Sequence, residues 1–180
     1  MKDHKETRKL LKYCLTDSSR RHIKPGGWIE IQEMHHYPHC NDDSIPPAYA
    51  LRTWLENIRL GIGKLGIDLS VATRNFSNLR NAGFINVQER VFKVPIGTWP
   101  KNKTLQMIGL YLRTVISDGL QAISLGPLVR GLGWSPEKVE LLLVEVRKSL
   151  GDGTVHSYFQ YHVVWAQKPK VGEGDEGDGR

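Results

Sequence analysis

An apolar-polar alternation runs from Trp28 through Ile29, Glu30, Ile31, Gln32 and Glu33 to Met34, which predicts a pleated strand with one buried face. Just before it, Pro25 fixes φ and Gly26 and Gly27 admit positive φ, so a tight turn feeds the strand. Upstream, residues 3–21 place Leu10, Leu11, Cys14 and Leu15 on one side of an amphipathic helix. Downstream, His35 to Ile45 holds Pro38, Asn41 and two aspartates and is expected to be a polar loop.

Pro46 and Pro47 suit a helix start, and Leu51, Leu55, Ile58 and Ile62 then form an apolar stripe at helical spacing. A second helix, capped by Asp68 or Ser70, puts Leu69, Ala72, Phe76 and Leu79 on one face and stops at Gly83. Ile85, Val87 and Val91 then alternate with polar residues in a strand that reaches Pro95. After a loop containing Trp99, the stripe Leu105, Ile108, Leu112, Val115 and Ile123 predicts a third helix, weakened in the middle by Gly119. Ser135-Pro136-Glu137 is a clear start signal for a fourth, with Val139, Leu142, Leu143, Val146 and Leu150 ahead of Gly151. A last strand is predicted over Val155 to Ala166.

A length of 180 residues suffices for one domain with its own core. The folded part is expected to be residues 1–169, because the acidic, glycine-rich residues 170–180 have little apolar area to bury and read as a disordered tail. The net charge of +6 comes from lysines and arginines scattered over several helical faces, so nucleic acid is not an expected partner. Cys14 and Cys40 make no disulfide framework and are expected to be free thiols. The segment Met1 to Lys12 has no apolar core of a leader, and no apolar run approaches a membrane span. A cytoplasmic or nuclear protein without membrane contact is therefore expected.

The predicted order is helix, strand, helix, helix, strand, helix, helix, strand. Together with the Ile23-Lys24-Pro25-Gly26-Gly27 turn, it resembles the back half of a class I S-adenosylmethionine-dependent methyltransferase, in which such a turn precedes the fifth strand. Pro25 to Glu33, Ala82 to Val87, Val94 to Pro100, Gly131 to Ser135 and Val163 to Pro169 look, more narrowly, like the fungal methyltransferases related to the secondary-metabolism regulator LaeA. The resemblance implies an α/β fold: a partial Rossmann-like methyltransferase sheet, its last three strands, with an inserted helical pair. It also implies methyl transfer from S-adenosylmethionine to an unidentified acceptor.

No glycine loop follows an apolar strand before residue 23. The chain is accordingly expected to behave as a truncated methyltransferase, with weak or no cofactor binding and little activity alone. The rival expectation is a non-catalytic interaction module, whose open strand edge over Trp28 to Met34 pairs with itself or with a complete methyltransferase.

Glu33, His35 and His36 are the candidates for chemistry, because ligands in such folds bind beyond the carboxyl ends of the strands. Tyr37 and Trp99 are candidates for substrate contact. Against these stand plainer readings: Glu33 bonded to a neighbouring loop, solvated histidines, and Trp99 as a packed loop anchor. His35, His36, His39, Cys40, Asp42 and Asp43 include metal-ligand types, but one crowded loop with adjacent histidines lacks the ordered pairs of a zinc site, so no metal is expected. His156 and His162 read as half-exposed residues on one side of the last strand. No Ser/His/Asp, Cys/His or phosphate-loop constellation stands out.

Overall fold

Among the described residues, three strands and four helices follow the order that the sequence predicts after its first helix. The computed structural model describes residues 19–172; the predicted helix over 3–21 lies outside them except for its last turn, helical at residues 19–22, and so do residues 173–180 of the acidic tail. The elements are β1 (Trp28–His39), α1 (Ala50–Lys64), a 3-10 turn (Val71–Arg74) running into α2 (Asn75–Asn81), β2 (Ile85–Pro95) and α3 (Lys103–Leu125). A π-helical turn (Gly126–Gly131), α4 (Pro136–Gly151) and β3 (Tyr158–Gln167) follow. The sheet order is β1-β3-β2. Gly26 N–H donates to the Lys168 carbonyl at 2.9 Å and Lys168 N–H to the Gly27 carbonyl at 2.8 Å, so the start of β1 meets the end of β3. Ile96 N–H donates to the Ser157 carbonyl at 2.9 Å, so the end of β2 meets the start of β3. β3 is therefore antiparallel to both neighbours, and α3 and α4 form the helical pair between β2 and β3. This is the mixed α/β architecture expected of a partial Rossmann-like sheet.

The chain divides into two units, and each strand contributes to both. Among the described residues the first comprises 19–33, 70–91 and 162–172. Its core is Leu79, Phe84, Val164 and Ala166, with Ile23, Ile29, Ile31, Phe76 and Val87 packed against it. Gly83 has φ 78 and follows α2 as the periodicity predicts, while Phe84 N–H reaches back to the Leu79 carbonyl at 3.1 Å. Lys168 Nζ closes residues 19–23 by donating to the carbonyls of Arg20 and Ile23 at 2.6 and 2.7 Å. His162 departs from expectation: it is buried, with Nδ1 2.8 Å from the Glu89 carboxylate, because its strand neighbours Val164 and Ala166 on the same side face the core.

The second unit comprises Met34–Leu69 and Phe92–Tyr161. α1 buries Leu51, Trp54, Leu55 and Ile58, which meet Leu120 and Leu128, Val139, Leu143 and Val146 of α4, and Phe159. α1 and the π-helical turn touch backbone to backbone, since a Cβ at Gly61 would lie 2.2 Å from the Pro127 carbonyl oxygen and one at Gly131 2.4 Å from that of Gly61.

Four expectations fail here. β1 does not end at Met34 but runs to His39, whose ring stacks on Tyr158 at 5.8 Å; β3 supplies pairing that no local pattern announces. α1 begins at Ala50 rather than at the proline pair, and β3 begins at Tyr158 rather than Val155. The predicted stripe of α3 faces largely outward: Leu105, Ile108 and Ile123 are exposed, Val115 is 66% exposed, and only Leu112 packs on the core. The buried face is Gly109, Ile116, Leu120 and Ser124, because the helix approaches Gly97 so closely that a Cβ at Gly109 would stand 1.9 Å from its carbonyl oxygen. Close approach selects small residues, which hydropathy does not mark.

Candidate functional site

The segment between β1 and α1 is held by Asp42 and Ser44. Asp43, at φ 55, adopts the left-handed conformation that Asp tolerates, and Ser44 N–H donates to Asp42 Oδ1 at 3.2 Å. Ser44 Oγ accepts the His156 N–H at 2.9 Å, and Asp42 Oδ2 hydrogen-bonds His156 Nδ1. The Ser44 hydrogen bond and then that of His156 hold the Asp42 carboxyl at about 2, so it is ionised at neutral pH. A carboxylate on Nδ1 orients the imidazole and directs Nε2 away from the pair.

Trp99 closes the other side of His156. Its indole stacks on the imidazole at 5.1 Å and 30°, and its N–H donates to the Ser157 carbonyl at 3.0 Å. The Ser157 hydroxyl meets the Tyr49 hydroxyl at 3.1 Å in a buried contact. Burial raises the Tyr49 phenol above its ordinary range, with the Ser157 hydrogen bond acting in the opposite sense.

A second group lines the carboxyl-terminal end of β1. His35, Tyr37 and His39 fall on one side of the strand by its period of two. The Tyr37 ring lies 6.1 Å from His35 and 5.3 Å from His39, and His39 stacks in turn on Tyr158 of β3. Arg52 of α1 sits over the Tyr37 ring at 5.7 Å and Lys93 of β2 over the Tyr158 ring at 5.0 Å. Asn41 Oδ1 ties the far end, accepting from Lys93 Nζ at 3.1 Å and from the Tyr158 hydroxyl at 2.9 Å.

Of the five residues singled out from sequence, His35 and Tyr37 come together in this ladder. His36 points the other way, its ring edge-on to Phe159 at 5.8 Å. Trp99 stacks on His156 rather than on Tyr37, and Glu33 is a half-buried residue inside β1 that belongs to the first unit. The sequence reading missed the Asp42–His156 pair, Arg52, Lys93 and Tyr158. Asp42 and Asn41 did carry a signal, as polar residues beyond a strand end, but nothing local joins them to β2 or β3. Among the described residues no three His, Cys, Asp or Glu side chains gather as a metal site, and Cys40 is a free thiol. Among them also, no helix is long and apolar enough to cross a membrane. A shallow cleft of about 430 Å³ at the amino-terminal end of β1 is lined by Trp28, Ile29, Glu30 and Trp165.

No protein-family model matches the sequence. The chain is 33% identical over 151 residues to the secondary metabolism regulator LAE1 of Cochliobolus heterostrophus, an alignment covering 83% of this chain and 49% of that protein. It is 29% identical over 165 residues to the methyltransferase pytC of Aspergillus terreus, covering 92% of this chain and 49% of pytC. The chain is a relative of the fungal LaeA-like methyltransferases. A third relative, the protein-methionine methyltransferase laeA of Emericella nidulans, is 24% identical over 149 residues, 82% of this chain and 40% of its own length. The chain thus spans about half the length of the LaeA-like relatives it matches.

S-adenosylmethionine, the donor that the family implies, calls for a glycine turn between a strand and a helix that lets backbone approach the ligand. The described residues do not fit it. The dense glycine cluster from Gly61 to Gly66 begins inside α1, where Gly61 is filled by the backbone of the π-helical turn, and Gly109 is filled by Gly97.

Proposed function

We infer that this chain is the C-terminal portion of a LaeA-like class I methyltransferase and carries the acceptor side of its site. The observation that supports this most is the 33% identity to LAE1 across 83% of the chain, joined to a three-stranded sheet with a helical pair before its last strand. S-adenosylmethionine is the donor on this reading, and its binding draws on residues beyond those described. His35 and Tyr37 belong to the acceptor side, with His36 and Trp99 of the same unit as supports. The regulator name of LAE1 favours a cytoplasmic or nuclear place of action. A thermal-shift titration of the 180-residue chain with S-adenosylmethionine and S-adenosylhomocysteine tests the reading, since a ligand bound only by the native state raises the melting temperature. A cooperative melt that neither ligand moves is expected for this chain alone. A concentration-dependent rise would show that it holds the donor unaided.

A second reading is favoured by one feature: β1 forms an edge of the sheet among the described residues, with twelve residues of backbone on that edge. On this reading the chain is a non-catalytic interaction module that pairs through β1 with itself or with a complete methyltransferase. Sedimentation equilibrium separates the two: a defined dimer supports pairing, and a monomer at all concentrations removes self-pairing.

A further inference from the structure

The aromatic ladder beyond the carboxyl end of β1 carries two cations, and neither has an anionic partner among the described residues. Arg52 lies over Tyr37, and its Nε is shielded from solvent with no hydrogen-bond acceptor. Lys93 lies over Tyr158 and donates to an amide oxygen, that of Asn41, not to a carboxylate. The nearby acid, Asp42, is committed to Ser44 and His156. The ladder thus sets the half-buried rings of Tyr37 and His39, the first under Arg52 and the second stacked on Tyr158, between a guanidinium and an ammonium that come from different elements.

Each part has a chemical meaning. An aromatic face attracts a flat, conjugated ligand by offset or edge-on stacking. A guanidinium with an unused donor favours a planar oxyanion, which it can engage through two parallel N–H bonds, and Lys93 adds a point charge. Hydrogen bonds from charged donors are the stronger kind, and a shielded donor without an acceptor is costly until a ligand supplies one.

We propose that Arg52, Tyr37, His39, Tyr158 and Lys93 form a binding site for a planar, conjugated anion, an aromatic or enone-type carboxylate or enolate. Tyr37 and His39 hold its ring or conjugated plane, Arg52 takes its oxyanion, and Lys93 sets the charge at the Tyr158 end. The site is argued from ligand contacts alone; only naming this anion as the methyl acceptor rests on the methyltransferase reading.

Benzoate, benzamide and acetate, titrated into the 180-residue protein at neutral pH without a methyl donor, test the site. Benzoate is expected to bind saturably and to shift the ring resonances of Tyr37 and Tyr158 in NMR spectra, with benzamide and acetate each weaker by about tenfold. Arg52→Gln and Lys93→Gln are each expected to lower benzoate affinity about tenfold, whereas Arg52→Lys retains part of it. Tyr37→Leu is expected to erase the preference for benzoate over acetate. Should Arg52→Gln fail to fold, Lys93→Gln, at an exposed side chain, and Arg52→Lys carry the test. Equal binding of benzoate and benzamide, unchanged affinity in the folded variants, absence of saturable binding, or shifts confined to other residues would each overturn the proposal. Because no donor is present, loss of benzoate binding removes the site without touching the methyltransferase reading, and failure of that reading leaves benzoate binding intact.

Discussion

Asp42 and His156, 114 residues apart in the chain, are joined through Oδ2 and Nδ1, and this one hydrogen bond ties the segment after β1 to the approach of β3. The pair is half-exposed, so its worth lies in orientation more than in stability. Ser44 reinforces it from both sides, donating its backbone N–H to Asp42 and accepting the backbone N–H of His156.

The pair makes acid stability depend on Asp42. Its folded carboxyl sits at about 2, below the unfolded value, so its contribution is complete above the unfolded pKa and is lost as pH falls through about 2. The melting temperature of the native protein is expected to fall more steeply between about pH 4 and pH 2 than that of Asp42→Asn. Parallel slopes for the two proteins across that window, in a scan of melting against pH, would remove Asp42 from the acid transition.

Gly61 and Gly119 are both helical glycines, yet alanine is expected to act in opposite directions at the two. At Gly61 the new Cβ meets the Pro127 backbone at 2.2 Å, which cannot yield without parting α1 from the π-helical turn. A loss of about 1–3 kcal/mol in urea unfolding is expected. At Gly119 the nearest atom is Cδ1 of Ile123 at 3.0 Å, the movable end of an exposed side chain, so the gain in helix propensity, about 1 kcal/mol, should prevail.

Trp54 and Ser124 are buried together, with the indole N–H donating to Ser124 Oγ at 2.7 Å and the hydroxyl donating in turn to the Leu120 carbonyl at 2.5 Å. Ser124→Ala leaves the indole N–H without an acceptor in the core. The expected cost is about 1–3 kcal/mol, against about half of that or less for removal of an exposed hydroxyl such as Thr73. Denaturant unfolding of the two variants measures the difference.

Trp99 serves His156 in two ways, and two substitutions separate them. Trp99→Phe keeps a ring over the imidazole but loses the bond to the Ser157 carbonyl, which should cost about 1 kcal/mol. Trp99→Leu loses the stacking partner as well, and the His156 ring resonances should then move in NMR spectra while those of Tyr37 stay in place. Movement of both sets would join Trp99 to the ladder.

Much of the architecture was legible because it depends on local chemistry. Ser135 and Pro136 start α4 as their types require, with Ser135 Oγ accepting the Lys138 N–H at 3.3 Å, and Gly83 ends α2. The site was legible only in part. His35 and Tyr37 could be picked out as polar and aromatic residues beyond a predicted strand, but no local pattern singles out Arg52 beside the apolar stripe of α1. Nothing local singles out Lys93 within its strand. The stripe of α3 was misread for a related reason, since large apolar residues mark what a helix can bury and not which neighbour reaches it first.

By itself, then, the sequence determined the order of the elements, the turns and caps between them, and the kinship with LaeA-like chains, because each rests on the conformational preference of residues a few positions apart or on their identity. Tertiary structure decided that β1 continues to His39, that α3 turns its small residues inward, and that Asp42 meets His156. Those outcomes depend on which surfaces touch, and the free energy of a contact between residues 42 and 156 is written in neither segment alone.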